Sequence, residues 1–395
     1  MIKKQFYYNK TFCIGADVHL NACVGENGGQ DHIKYGFGYD EAVELMIKAA
    51  EEDNVTVDAI IYPLVFCARH RIELFLKDHL LKFTEIRHND TITESLLSNT
   101  HDLSTLWNLF KEYGAKTDRR ILPFLKKAQP YITDFAKIDP TGETFRYPYD
   151  KLKSIHLKHT PIININTFAK SYFKISKLIK ELEHLTEYLQ DEYSQNTFTD
   201  KLSRDDIYNI SVSLPPKEEW SHASFDQIRL KIRAKYGLSS NDLSKTINII
   251  KTHREFSSNI NIELPLDQLN IKDFKTYILI YNKFNPDNDG SLKLNYDSLL
   301  KHVQTKESSI KQIISKLPKE AIICIYTLIE LGRPGYYGES FDLLYNKFKQ
   351  SVDNGYNLLE YCSYILNNTM ALQYIRNALF KTGQSTILKK CFQVG

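Results

Sequence analysis

Residues 57–83, VDAIIYPLVFCARHRIELFLKDHLLKF, decide the fold. Apolar residues occupy nearly every side of this stretch, and a helix that is apolar on most sides is buried on most sides. Pro63 falls in its first turns, where proline is tolerated. The polar residues of such a rod are then informative. At about 100° per residue, Arg69, Glu73, Lys77 and His70 fall at roughly 0°, 40°, 80° and 100° and form one polar arc.

The segments on either side read as helix as well, with one exception. Upstream, DEAVELMIKAAEE (40–52) is helical with acidic residues near both ends. The exception is residues 11–24, TFCIGADVHLNACV, which alternate as a strand: Val18, Leu20 and Ala22 point one way, and Asp17, His19 and Asn21 the other. GENGG then makes a turn. Downstream, THDLSTLWNLFKEY (100–113) has Thr100 as its expected N-cap and Leu103, Leu106, Trp107 and Phe110 as its core stripe. A further helix covers about 118–136, and DPTGETFRYPYD (139–150) is rich in turn formers.

Residues 151–180 hold seven lysines, two histidines and no acid. Apolar positions at Phe168, Tyr172, Ile175, Ile179, Leu182 and Leu189 make 167–193 one amphipathic helix. Its lysines lie towards its N-terminal half, opposite to what the helix dipole favours, so an acidic partner or a solvated face is expected there. A polar linker covers 194–225, and 226–254 reads as helix, turn, helix with seven basic residues, a pattern shared by packing units and DNA-binding modules. The rest is helical in pattern, with a break at 331–340. The expected fold is therefore mainly α: an N-terminal strand, loop and helix piece (1–56), a helical bundle (57–150), and a helical C-terminal domain (160–395) with a sub-boundary within 194–225.

With 395 residues, 42% hydrophobic and 25% charged, the chain can bury cores for more than one domain without disulfides or metals. A net charge of +3 confines any basic surface to a local patch. The cysteines, Cys13, Cys23, Cys67, Cys324, Cys362 and Cys391, form no CxxC pair, so a reduced set without a zinc site is expected. No signal peptide and no apolar run of about 18 residues appear, which points to a cytoplasmic protein with no membrane partner. The motifs of P-loop NTPases, dinucleotide-binding domains, serine hydrolases and zincins are missing, and no cofactor or metal is expected. NPDNDGSLKLNY (285–296) mimics a calcium loop, but Tyr296 stands where the bidentate Glu belongs, so an Asp/Gly turn is expected.

The order of IELFLK, a loop and HDLSTLW carries a resemblance. A helix bearing Arg69, His70, Glu73 and Lys77, followed by His101, Asp102 and Leu103 opening the next helix, resembles the HEPN (higher eukaryotes and prokaryotes nucleotide-binding) domain over about residues 57–150. That resemblance implies an up-and-down helical bundle, a homodimer, a nucleotide or RNA as ligand, and a bacterial defence or toxin–antitoxin setting. Ribonucleases of this family carry Arg, four to six residues, then His. Here Arg71 and His79 are separated by seven residues and Arg69 and His79 by nine, so the usual motif is missing. The expected ligand site comprises Arg69, His70, Glu73, Lys77, His101 and Asp102, with Arg146 and Tyr147 closing over a phosphate. Arg69, His70 and His101 are the candidates for metal-independent ribonuclease chemistry at a non-standard site. Two other readings stand beside these. Arg69 and Lys77 flank Glu73 four residues to either side and can form an internal ladder, and residues 151–193 can dock an acidic protein partner. Asp17, His19 and Asn21 are a secondary cluster, with a polar outer strand face as the simpler account.

Overall fold

The structure, a computed structural model, describes residues 10–28, 32–86, 92–150, 152–285 and 296–392. The chain divides into two compact units, Met1–Gln190 and Asp191–Gly395.

The first unit is built on α1 (His32–Glu51), α2 (Val57–Ile86), α3 (Glu94–Ser98), α4 (Leu103–Thr117), α5 (Leu122–Ile138) and α6 (Ile165–Ser194, within this unit to Gln190). α2 is the central rod, as its all-round apolar sequence requires: Leu64, Ala68, Ile72, Phe75, Leu76 and Leu80 are buried. Phe75 meets Phe110 of α4 and Phe124 of α5 at ring-centroid distances of 5.5 and 5.7 Å, and Trp107 stacks on Phe110. The N-cap of α4 is Asp102, not Thr100: the Asp102 side chain accepts from the Thr105 N–H at 2.7 Å, while the Thr100 hydroxyl donates to the Leu96 carbonyl. α1 lies along α2, and α6 closes the bundle through buried polar contacts. Asp40 of α1 accepts from Tyr172 and Ser176 and pairs with Lys180 at 2.9 Å. Arg71 of α2 donates to Glu183 of α6 at 2.7 Å.

Two expectations are corrected here. Residues 11–24 form no strand, and the described residues contain no sheet, only an isolated bridge between Tyr149 and Ile155. The strand-like alternation has no partner edge to pair with. Instead the Asn21 amide closes a local loop on the Gly15 N–H and carbonyl, and Val18–Leu20 turn as a short 3-10 segment. The segment from 160 to 190, assigned by sequence to the C-terminal domain, groups with the first unit, because α6 buries its apolar stripe there.

The second unit contains α7 (Arg204–Ser213), α8 (Ala223–Tyr236), α9 (Ser240–Thr252), α10 (Arg254–Ser258), α11 (Ile271–Phe284), α12 (Tyr296–Lys316), α13 (Lys319–Leu331), α14 (Ser340–Asp353), α15 (Leu358–Asn367), α16 (Ala371–Lys381) and α17 (Ser385–Cys391). One core cluster gathers residues of α7 to α10, and a second surrounds the all-round apolar α13. The helix, turn, helix expected at 226–254 is α8 and α9. The calcium-like loop falls at 286–295, outside the described residues. No helix among the described residues is long and apolar enough to cross a membrane.

Candidate functional site

The polar arc of α2 converges on one carboxylate. Glu73 Oε2 accepts from Arg69 Nη1 at 2.6 Å, and Oε1 accepts from Lys77 Nζ at 2.9 Å and from His101 Nδ1 at 2.9 Å. His70 Nδ1 stands 3.9 Å from Oε2. Burial pushes the Glu73 carboxyl up, but the donors of His70, Lys77, Arg69 and His101 outweigh it and hold the group well below the usual carboxylate range. Of the partners, Arg69 and Lys77 are buried, whereas the His70 side chain is 28% exposed and that of His101 60% exposed.

Arg69 faces inward. Its Nε donates to the Asp139 carbonyl at 2.9 Å, and Nη2 donates to the His101 and Pro140 carbonyls at 2.6 and 2.8 Å. With Nη1 on Glu73 and the Asp139 Oδ2 3.7 Å from Nε, the guanidinium fork is taken up by backbone oxygens and two carboxylates, and 1% of the residue is exposed. It fastens the 139–142 turn and the start of α4 to α2. Gly142 lies against it at φ +81, and a Cβ there would sit 3.0 Å from Arg69 Nη1, so both the backbone conformation and the close approach call for glycine.

Arg146 is the cation that faces outward. Its Nε donates to the Gly142 carbonyl, and its guanidinium lies 5.5 Å from the Phe66 ring centroid and 5.6 Å from that of Tyr147. Among the described residues it meets no carboxylate. Phe66 stacks on His70 at 5.7 Å, and Tyr39 meets the His70 ring edge-on at 4.7 Å. The outer surface thus carries Arg146, Tyr147, His70 and His101 over an inner layer of Arg69, Glu73 and Lys77. Phe66 and Tyr39 were not anticipated as site residues, although Phe66 lies four residues before His70, one helical turn away.

The Glu73–His101 contact has a chemical consequence. An ionised carboxylate only accepts, so His101 Nδ1 carries the proton and Nε2 points away from Glu73. Such an oriented imidazole with a free outer nitrogen is what proton transfer needs.

The other candidates lie apart from this constellation. Asp102 caps α4. Asp17, His19 and Asn21 sit on the exposed 3-10 turn, and Asn21 is occupied with Gly15. No group of three or more His, Cys, Asp or Glu able to hold a metal occurs among the described residues. His79 is fully buried beside Asp78, and burial lowers its pKa against the pull of Asp78. Lys170, Lys174 and Lys177 are exposed on α6, with Lys177 3.9 Å from Glu181.

The second unit has a polar knot that the sequence did not announce. Arg204 donates to Glu339 at 2.7 and 2.9 Å and to Glu255 at 2.5 Å, and His253 Nε2 stands 3.1 Å from Glu339. The Arg204 guanidinium also lies over the Phe256 and Tyr337 rings. With its charges paired internally, this cluster is a fastening among helices.

Comparison with protein-family models, with curated proteins and with solved structures gives no match for this chain.

Proposed function

We propose that the first unit is a HEPN-like helical module that binds a nucleotide or RNA through a phosphate held at Arg146. The observation that carries this reading is the Arg146 guanidinium. It is exposed, flanked by the Phe66 and Tyr147 rings, free of any carboxylate among the described residues, and next to the turn that Arg69 fastens. Arginine offers a planar fork that matches phosphate oxygens, and aromatic flanks favour a guanidinium in that role. The homodimer and the bacterial defence setting belong to the same proposal and rest on the resemblance.

Loss of a hydrogen-bonded charge costs about 1.5–3 kcal/mol. Arg146→Ala therefore lowers affinity for a labelled single-stranded RNA or nucleotide by roughly 10- to 150-fold. Its melting temperature stays close to that of the parent, since Arg146 is exposed. Unchanged affinity in Arg146→Ala sinks the reading. Arg69→Ala is a poor probe, because it removes a buried fastening and weakens the fold itself.

The Glu73–His101 pair favours a second reading, a metal-independent ribonuclease in which His101 moves the proton and Arg146, in place of Arg69, steadies the phosphate. Incubating cellular RNA with purified protein in EDTA separates the two readings. Discrete cleavage by the parent and none by His101→Ala establishes the enzyme, whereas intact RNA with both leaves binding alone.

A further inference from the structure

Beside Arg146 the first unit opens a cleft of about 450 Å³ whose walls include Tyr62, Phe145, Arg146, Tyr147, His156 and Leu157. A volume of this size falls in the range of small-molecule sites. Its walls are mostly aromatic or apolar, and Tyr62 and Tyr147 are half-exposed at 47% and 56%, Tyr147 with the Arg146 guanidinium against its ring.

Beside Arg146 and Thr144, the cleft has a third polar residue in His156. Its Nε2 has no hydrogen-bond partner among the described residues and is shut off from solvent, so a ligand in the cleft meets it once the imidazole turns towards the opening. A buried polar atom left unpaired costs free energy that a ligand's complementary group would recover. His156 is also held in place. Asp150 Oδ1 accepts from the Leu152 and Ser154 N–H groups at 2.8 Å, Tyr149 and Ile155 bridge, and the His156 N–H donates to the Pro148 carbonyl at 3.1 Å. The next residue, Leu157, takes φ +58, a left-handed conformation that is strained for a residue with a side chain. A second cleft, of about 490 Å³, has Tyr62, Phe145, His156 and Leu157 in common with the first.

We propose that this cleft is the base subsite of the same site: it takes a planar aromatic heterocycle, stacked against Tyr62 or Tyr147 and read at one edge by His156 Nε2. The inference rests on the reading of Arg146 as the phosphate ligand, and it narrows the ligand to one that carries a nucleobase at one phosphate's distance. Stacking on an aromatic ring is worth about 1–3 kcal/mol per base, or roughly 5- to 150-fold in affinity.

The test is calorimetric titration of the full chain with AMP, GMP, CMP and UMP, with the corresponding nucleosides, and with ribose 5-phosphate. At least one nucleoside monophosphate is expected to bind roughly tenfold or more tightly than ribose 5-phosphate. His156→Phe, which keeps the ring and removes the nitrogens, and Tyr62→Ala each weaken that nucleotide by roughly tenfold and leave ribose 5-phosphate unchanged. Equal binding of nucleotide and ribose 5-phosphate overturns the base subsite while keeping the phosphate site. So does a nucleotide affinity that both variants leave untouched. Nucleosides that bind in a His156-dependent way, with ribose 5-phosphate inert, keep the base subsite and remove the Arg146 reading. No binding by any nucleoside or nucleotide overturns the base subsite outright.

Discussion

Glu73 is the residue on which the first unit's polar layer turns, and its role is open to direct measurement. It holds buried Arg69 and Lys77 and orients exposed His101 from a position 2% exposed. Removing one partner of a buried ionic group leaves the others uncompensated, at a cost of about 3–5 kcal/mol. Glu73→Gln is therefore expected to lower the first unit's stability by about that amount. Urea unfolding followed through Trp107, in a Trp220→Phe background, reads that loss. The pH dependence has a fixed sign. The folded carboxyl is held below its unfolded value, so its contribution is fully present above a pH of about 4.3 and is lost as pH falls towards the folded value. Parent stability should decline on acidification below about 4.3, and the Glu73→Gln curve should be flatter there. Equal acid slopes in the two proteins would remove Glu73 from this role. At this scale the arc on α2 was legible, because its members share one helix and spacing alone puts them on one face. The destination of Arg69 was not: its acceptors are the carbonyls of His101, Asp139 and Pro140, and backbone oxygens carry no residue-type signal.

Among elements, periodicity did well where burial is local and poorly where a partner is distant. α2, α4 and α6 appear close to the limits that their apolar spacing implies. Residues 11–24 alternate correctly for a strand, but a strand is completed by its neighbour, and no neighbouring strand exists among the described residues. The grouping of α6 with the first unit rests on Asp40–Tyr172 and Arg71–Glu183, contacts more than a hundred residues apart in sequence. The abundance of tyrosine also gains a partial account in the second unit. Tyr277 and Tyr281 donate to the Ile365 and Asn368 carbonyls at 2.8 and 2.9 Å, tying α11 to the C-terminal end of α15, where helix carbonyls run out of intrahelical partners. The packing of α1 on α2 yields a further prediction. A Cβ on Gly36 would lie 2.7 Å from Arg71 Nη1, and Arg71 is fully buried and tied to Glu183. Alanine gains about 1 kcal/mol of helix propensity over glycine, but crowding a packed interior costs about 1–3 kcal/mol. Gly36→Ala should lower the melting temperature of the parent and raise that of an Arg71→Met background, where the clash is gone and only propensity remains. A loss of similar size in both backgrounds would show that Arg71 is not what requires the glycine.

For the whole molecule, 51 basic and 48 acidic residues leave a net charge of +3, too little for a long-range field to attract polyanions. The proposed binding therefore needs a local arrangement, and the first unit offers two. One is Arg146 with its aromatic flanks; the other is the exposed lysine face of α6, with Lys170, Lys174 and Lys177. They differ in how many phosphates they engage, and salt reports that number. For a single-stranded ligand the slope of log affinity against log salt is about −0.7 per phosphate neutralised. A short single-stranded RNA held at Arg146 alone should give a slope of about −0.7, and Arg146→Ala should flatten it to about zero. Reversing Lys170, Lys174 and Lys177 to Glu should leave affinity and slope nearly unchanged. A steep slope that collapses on lysine reversal and ignores Arg146 would move the ligand from the α2–α4 site to α6, and the two histidines on Glu73 would then have no part in binding it.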